Sequence, residues 1–268
     1  MSGRGIEMKH IAKSVLFVWL GLCCALVSGT VHPSDFSKEA RWAEQVTADL
    51  FDGEALWLSA GTKRFLALHT SPENPAGGSV IVLHGLGVHP DWPQVINPIR
   101  VALAESGWHT LSLQLPVLAN GVPAEDYRTL LPTVGPRLVQ ALVYLRDVAT
   151  GPIFIVAHSM GSTMAIHALV ENPSLEIAGL VMIGAGSGGG GSFDPAGLSF
   201  QQLDLSVFDI VAEYDLKTVI RGSRQRAKFD HLTDFSQIEI DGADHFFEGQ
   251  ESILIDEVAS WLGARLQR

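Results

Sequence analysis

A serine at position 159 lies among small residues in the sequence AHSMG (157–161). The apolar run Ile153–Val156 precedes this pentapeptide, and apolar side chains at four-residue spacing follow it. This pattern predicts a buried strand, a tight turn and a helix. It matches the G-x-S-x-G nucleophile elbow, with alanine in place of the first glycine. A serine held in such a turn presents its hydroxyl for attack on a carbonyl carbon.

A serine nucleophile needs a base to take its proton and a carboxylate to orient that base. Asp215 follows a predicted strand in the sequence AEYD, and His245 follows the last predicted strand in DGADHFF. The carboxyl ends of parallel strands meet at one edge of a sheet. We therefore predict that Ser159 is the nucleophile, that His245 accepts its proton, and that Asp215 orients His245.

Two other acidic residues, Asp209 and Glu213, lie close to Asp215 in the sequence. A strand advances about 3.3 Å per residue, so Asp209 lies on the order of 20 Å of extended chain before Asp215, towards the opposite end of the sheet. For Asp209 we expect local hydrogen bonds and a contribution to stability if it is buried. Glu213 is closer, and spacing alone leaves it open as the partner of His245.

The elements that must position these residues alternate along the chain. We predict helices at 37–50, at 95–105 and around 138–145, a β-hairpin at 55–70, and strands at 80–83, 110–115, 153–156, 177–183 and 207–212. This order indicates an α/β fold with a mostly parallel central sheet flanked by helices. The segment 115–133 contains three prolines, and we expect a long loop that forms a wall of the pocket. Segment 184–206 is glycine-rich but lacks a P-loop ending, and we expect a flexible flap too short for a cap domain.

The composition and the net charge limit which kinds of partner the protein can have. The 268 residues are 47% hydrophobic and 18% charged, enough for one large core. The net charge is -11 and no basic run is present, which argues against nucleic acid or an anionic membrane surface as a partner. The sequence sets no oligomeric state.

The N-terminus predicts export. Three basic residues precede the apolar stretch 14–29, which ends in small residues, as in a signal peptide covering residues 1–29. An uncleaved membrane anchor is the alternative, and only then do we expect membrane contact. Cys23 and Cys24 lie inside this stretch, so the mature chain has no cysteine and any nucleophile must be an oxygen. We expect a protein of the periplasm or the exterior, with one domain over residues 30–268.

From about Leu56 to Leu262 the chain resembles the α/β-hydrolase superfamily. It is also similar to a group of uncharacterised bacterial envelope proteins of that fold, through LHGLGVHPDWP, GWHTLSLQLP and GADHFF. The order Ser159, Asp215, His245 is the order that this fold requires. The resemblance implies an oxyanion hole made by the backbone N–H groups of Leu86 and Met160.

The resemblance also implies a structural role for His84, which would support the loop after its strand. His89 and Trp92 either face the pocket or pack the loop, and loop packing is the more common outcome. The remaining histidines considered lack acidic partners at ligand spacing, so we predict neither a metal nor a cofactor; they are His69, His109, His158 and His167.

Together these features predict an exported serine hydrolase that forms an acyl-enzyme at Ser159. We expect a small-molecule or lipid-like acyl substrate, most simply a carboxylic ester, with a thioester or an amide also open. The alternative from another class is a catalytically silent protein of the same fold that binds an envelope ligand or partner.

Overall fold

The computed structural model describes residues 34–186, 202–229 and 234–266, so the predicted signal segment lies outside the described residues. The strands are β1 (Glu54–Ala60), β2 (Lys63–Thr70), β3 (Ser79–Leu83), β4 (His109–Leu113), β5 (Ile153–His158), β6 (Gly179–Ile183), β7 (Ser206–Tyr214) and β8 (Phe235–Asp244). The α-helices are α1 (Phe36–Asp49), α2 (Ile96–Glu105), α3 (Val134–Val148), α4 (Met160–Glu171), α5 (Lys217–Arg226) and α6 (Glu251–Leu266). Short 3-10 helices cover Ala124–Thr133 and Ala227–Phe229.

The described strands form one sheet in the order β1-β2-β4-β3-β5-β6-β7-β8. β2 is antiparallel to β1 and β4, and the other neighbouring strands are parallel. The predicted hairpin and mostly parallel sheet are therefore confirmed. β5, β7 and β8 point in the same direction, so the residues that follow them lie along one edge of the sheet.

Alternating side chains of the central strands bury both faces of the sheet. Ile81 and Leu83 of β3 join an apolar cluster with side chains of α3 and α4. Val80 and Val82 join a second cluster, on the opposite face, with Phe154 and side chains of α2 and α6. Every residue of β3 and β5 is buried, as expected for apolar strands covered by helices on both sides. The packing fixes the register of the strands whose ends carry the site.

Segment 115–133 differs from the predicted loop. Its second half is the 3-10 helix Ala124–Thr133, in which Tyr127 and Leu130 are buried in the core. The N–H of Leu118 donates to the Tyr127 hydroxyl at 3.1 Å, which ties the first half to the second. The prediction of a loop was wrong because it rested on the prolines, whereas the burial of Tyr127, Leu130 and Leu131 stabilises a helix that contains Pro132.

The connection between β6 and β7 is short, since β6 ends at Ile183 and β7 begins at Ser206. A connection of this length cannot form a large cap domain, as predicted. Residues 187–201 of the expected flap lie outside the described part of the chain. Within the described ranges, no helix has both the length and the hydropathy of a membrane span.

His84 is buried directly after β3 and joins two loops at the edge of the sheet. Its Nδ1–H donates to the Gly85 carbonyl oxygen at 2.9 Å, so its Nε2 is free to accept from the N–H of Leu115, also at 2.9 Å. Burial lowers the pKa of His84 to about 3, so the ring is neutral at physiological pH. These contacts agree with the structural role implied for His84.

The buried ring of His84 predicts that the fold loses stability on acidification. In the unfolded chain a histidine titrates near its ordinary value of 6.5, whereas folded His84 stays neutral down to about pH 3. The free energy of unfolding should therefore fall as the pH drops below 6.5, by up to about 1.4 kcal/mol per pH unit for this group. His158 acts in the same direction, since burial lowers its pKa to about 4.

Urea denaturation at several pH values between 7 and 5 measures this effect. We expect a shallower pH dependence in His84→Gln than in the wild type, because the amide does not titrate. An unchanged pH dependence in the variant would contradict the assignment of His84 as a buried neutral group.

Candidate active site

Three of the strands end immediately before the residues that the sequence singled out. β5 ends at His158 before Ser159, β7 at Tyr214 before Asp215, and β8 at Asp244 before His245. Since these strands are parallel, Ser159, Asp215 and His245 come together at the carboxyl edge of the sheet. This is the arrangement that the alternation of elements predicted.

Ser159 lies in a strained turn between β5 and α4. Its backbone has φ 54° and ψ -121°, a conformation that residues with a side chain rarely adopt. The turn is held by a hydrogen bond from the Ser159 N–H to the Ile183 carbonyl at 2.8 Å. A Cβ on Gly161 would lie 2.6 Å from the His84 carbonyl oxygen, so only glycine fits there. Ala157, in contrast, is accommodated in the core, which explains why alanine can replace the first glycine of the motif.

His245 contacts both of its predicted partners. Its Nε2 lies 3.0 Å from the Ser159 Oγ, and its Nδ1 lies 2.6 Å from the Asp215 Oδ1. An ionised carboxylate only accepts, so the proton is on Nδ1 and Nε2 accepts the serine O–H. The Asp215 side chain is fully buried, and the Leu216 N–H also donates to its Oδ1 at 2.7 Å. The arrangement can carry a proton from the serine hydroxyl to the imidazole.

His158 and Gly184 shape the space around His245. His158 Nε2–H donates to the His245 carbonyl at 3.0 Å, and the two rings lie 4.9 Å apart. The low pKa of His158 keeps its ring neutral beside His245. A Cβ on Gly184 would lie 3.1 Å from the His245 Nδ1 and 3.3 Å from the Asp215 Oδ2. Sequence reasoning missed Gly184, although its signal was a small residue directly after β6, at the edge where the other three residues lie.

The two predicted oxyanion-hole donors belong to segments next to Ser159. Met160 is the first residue of α4, so its N–H has no carbonyl partner within the helix. Leu86 follows Gly85, whose position is so close to Ser159 that an added Cβ would lie 3.3 Å from the Ser159 Cβ. The loop after β3 therefore runs directly beside the serine. The role of these two N–H groups stays a prediction.

The other two acidic residues have partners of their own. Asp209 is fully buried and accepts from Arg226 Nε at 2.7 Å and from Gln237 Nε2 at 2.6 Å. Glu213 Oε2 accepts from the Gly242 N–H at 2.8 Å. The expectation that Asp209 makes local hydrogen bonds is confirmed, and Asp215 is the carboxylate that contacts His245.

Two further histidines, His89 and His69, have contacts outside the site. His89 packs edge-on against Trp42 and Trp92, so it is part of the loop packing. His69 does have an acidic partner, contrary to expectation, because the hairpin register places Glu54 across from it, with Oε1 3.3 Å from His69 Nδ1. Within the described residues, no group of three or more His, Cys, Asp or Glu side chains could hold a metal ion.

Comparisons with known proteins agree with this architecture. Residues 32–135 match a family described as "Protein of unknown function (DUF3530)". A search of curated proteins found no match. Solved structures are similar over about four fifths of the chain.

Three of these structures illustrate the likeness. Est1E from Butyrivibrio proteoclasticus is 14% identical with a TM-score of 0.61, and the match covers 80% of this chain and 99% of that one. A dienelactone hydrolase from Anabaena variabilis is 20% identical with a TM-score of 0.65, and the match covers 80% and 97%. XC6422 from Xanthomonas campestris, an α/β serine hydrolase without a lid, is 16% identical with a TM-score of 0.60, and the match covers 80% and 94%. The sheet order, the elbow and these likenesses together show that the chain has the α/β-hydrolase fold.

Proposed function

We propose that this protein is an exported serine hydrolase that cleaves a carboxylic ester. The observation that carries the proposal is the position of His245, which is within hydrogen-bond distance of both Ser159 Oγ and Asp215 Oδ1. Structural neighbours support a hydrolase in general, since their names include esterases and serine hydrolases. Thioesters and amides can follow the same steps, and the named esterase neighbours are the reason to place esters first.

In the proposed mechanism, His245 Nε2 takes the Ser159 proton as Oγ attacks the ester carbonyl carbon. The carbonyl oxygen becomes an oxyanion that accepts hydrogen bonds from the N–H groups of Leu86 and Met160. The C–O bond to the alcohol breaks, and His245 returns the proton to the departing oxygen. This leaves an acyl ester on Ser159, together with the free alcohol.

Water completes the cycle by attacking the acyl-enzyme while His245 accepts one of its protons. The second tetrahedral oxyanion collapses, Ser159 regains its proton, and the carboxylic acid leaves. Throughout, Asp215 holds the Nδ1–H of His245 and stabilises the imidazolium that forms twice per cycle. Burial of the Asp215 carboxylate strengthens this interaction because water does not compete for it.

The first test concerns Ser159 as the nucleophile. Ser159→Ala should abolish both ester turnover and covalent labelling by a fluorophosphonate probe, because both need the Oγ atom. The melting temperature should change little, since the hydroxyl contributes little packing. Labelling of the wild type at Ser159 would favour the enzyme, and no labelling at any probe concentration would favour a silent binding protein. Turnover that persists in a clean preparation of Ser159→Ala would refute the assignment.

The second test separates the acidic residues. Asp215→Asn should lower kcat by about a thousandfold or more with a nearly unchanged melting temperature, because the amide keeps the shape but no longer stabilises the imidazolium. Asp209→Asn should do the reverse, since it weakens a fully buried ion pair with Arg226 and should cost about 3 kcal/mol of folding stability.

Glu213→Gln is the matched control, because it removes one carboxylate charge two residues from Asp215. We expect near-normal turnover in this variant. Normal activity in Asp215→Asn together with a large loss in Glu213→Gln would show that the orienting carboxylate has been wrongly chosen.

Export is the remaining part of the proposal and rests on the basic leader and apolar run of residues 1–29. Mass spectrometry of the native protein should find a new N-terminus between about Ser28 and Pro33, as expected for signal cleavage after small residues. An intact chain in the membrane fraction would instead support an anchor.

A further inference from the structure

One side of α5 and of the 3-10 helix that follows it carries a row of cations, which we call the basic face. It consists of Lys217, Arg221 and Arg224 of α5 and Lys228 of the 3-10 helix, spaced three or four residues apart, so they lie about one helical turn from each other over roughly 16 Å. All four are exposed and line a shallow groove of about 480 Å³ that also includes Asp215. Within the described residues, none of the four forms an ion pair.

The basic face does not serve the folding of its own helix. Like charges one turn apart repel each other along a helix. Lys217 is the first residue of α5, where a cation also opposes the helix dipole. By contrast, Arg226 on the buried side of the same helix is paired with Asp209. A row of cations that form no ion pair with any described residue, on a chain of net charge -11, therefore indicates an external partner of opposite charge.

Apolar side chains are exposed next to the basic face and the active site. Tyr214 and Leu216, on either side of Asp215, are 68% and 53% exposed, and Phe246, which follows His245, is 37% exposed. These three residues define the apolar rim. The rim lies at the carboxyl edge of the sheet, where α5 begins and where Ser159 is held. Exposed aromatic and aliphatic side chains beside clustered cations form the combination that binds an anionic lipid surface.

We propose that the basic face and the apolar rim dock this protein on an anionic phospholipid surface. The cations contact lipid phosphates while the rim enters the headgroup region. If the proposed function is correct, docking implies that the substrates are acyl esters held in that surface, and this consequence rests on the proposed function. Asp215 lies in the groove and contacts His245, so docking brings the surface to the triad.

The basic face and the apolar rim fit an anionic lipid surface better than they fit a single phosphate or an anionic polymer. A single phosphate can contact two neighbouring side chains of the basic face, whereas four cations over roughly 16 Å match a row of headgroups. An anionic polymer that wraps several faces would be repelled by the net negative charge of the chain. The net charge of the chain argued against binding to an anionic membrane surface, but a net charge does not show how the charges are distributed over the protein.

The experiment measures how much Ser159→Ala protein sediments with lipid vesicles. This variant is used because it cannot hydrolyse esters and so leaves the lipids intact. Vesicles of phosphatidylcholine alone are compared with equal mixtures of phosphatidylcholine and phosphatidylglycerol. We expect binding to the mixed vesicles only. Adding Arg221→Gln and Arg224→Gln should weaken that binding about tenfold or more, and adding Leu216→Ser should weaken it further.

Arg41→Gln with Arg128→Gln is the matched control. These exposed arginines lie on α1 and on the 3-10 helix, so the pair removes the same total charge away from the basic face. Binding of the control should equal that of Ser159→Ala. An equal loss in control and basic-face variants, equal binding to both kinds of vesicle, or no binding would overturn the inference. Tighter binding to heparin or DNA than to the mixed vesicles would overturn it in favour of a polymer.

Turnover of a soluble short-chain ester by otherwise wild-type protein keeps the two proposals apart. Arg221→Gln with Arg224→Gln should leave this turnover unchanged, because neither residue contacts the triad. Soluble-ester turnover without vesicle binding would remove the docking surface and leave the hydrolase. Vesicle binding without any turnover would remove the hydrolase and leave the docking surface.

Discussion

The close approach of α4 to the end of β3 is the constraint on which the active-site edge depends. Gly161 lies so near the carbonyl oxygens of Leu83 and His84 that a side chain at this position would have to displace backbone. Because the helix cannot move away without losing its contact with the sheet, the chain must turn sharply between β5 and α4. The unusual backbone of Ser159 is the result. The same approach brings the loop after β3 next to the serine, so one steric requirement positions both Ser159 and a candidate oxyanion donor.

Two buried, neutral histidines hold the loops of this edge in place. His84 joins the loop after β3 to Leu115, and His158 joins the end of β5 to the backbone of His245. Each uses a ring N–H to donate to a carbonyl oxygen, which a charged or differently shaped residue would do less well in a buried position. The residue that performs the proposed chemistry is thus supported by a second histidine whose lowered pKa keeps it out of that chemistry.

Sequence reasoning reached the strand ends because buried parallel strands leave a plain signal. The apolar runs at Ile153–Val156 and before Asp215 locate the carboxyl ends of two strands to within a residue or two. The residues directly after those ends are then the candidates for the chemistry. What it missed depends on contacts between distant segments. The role of Gly184 follows from its approach to His245 and Asp215, and the pairing of Glu54 with His69 follows from hairpin register. The 3-10 helix at Ala124–Thr133 depends on the burial of Tyr127 and Leu130 in the core, which the prolines of the segment do not indicate. The basic face of α5 was missed because its charges are adjacent only once the helix forms.

The position of β8 at the end of the sheet has a consequence for the dynamics of the protein. His245 is 86 residues from Ser159 in the chain and directly follows β8. Among the described strands, β8 is hydrogen-bonded to β7 alone, across a register irregularity near Ala212. Edge elements with a single bonded side open locally at a lower free energy than the central strands do. Such an opening separates His245 from Ser159 while the core around β3 and β5 stays paired. The fraction of molecules in which His245 contacts Ser159 is therefore set by a different equilibrium from the fraction that is folded.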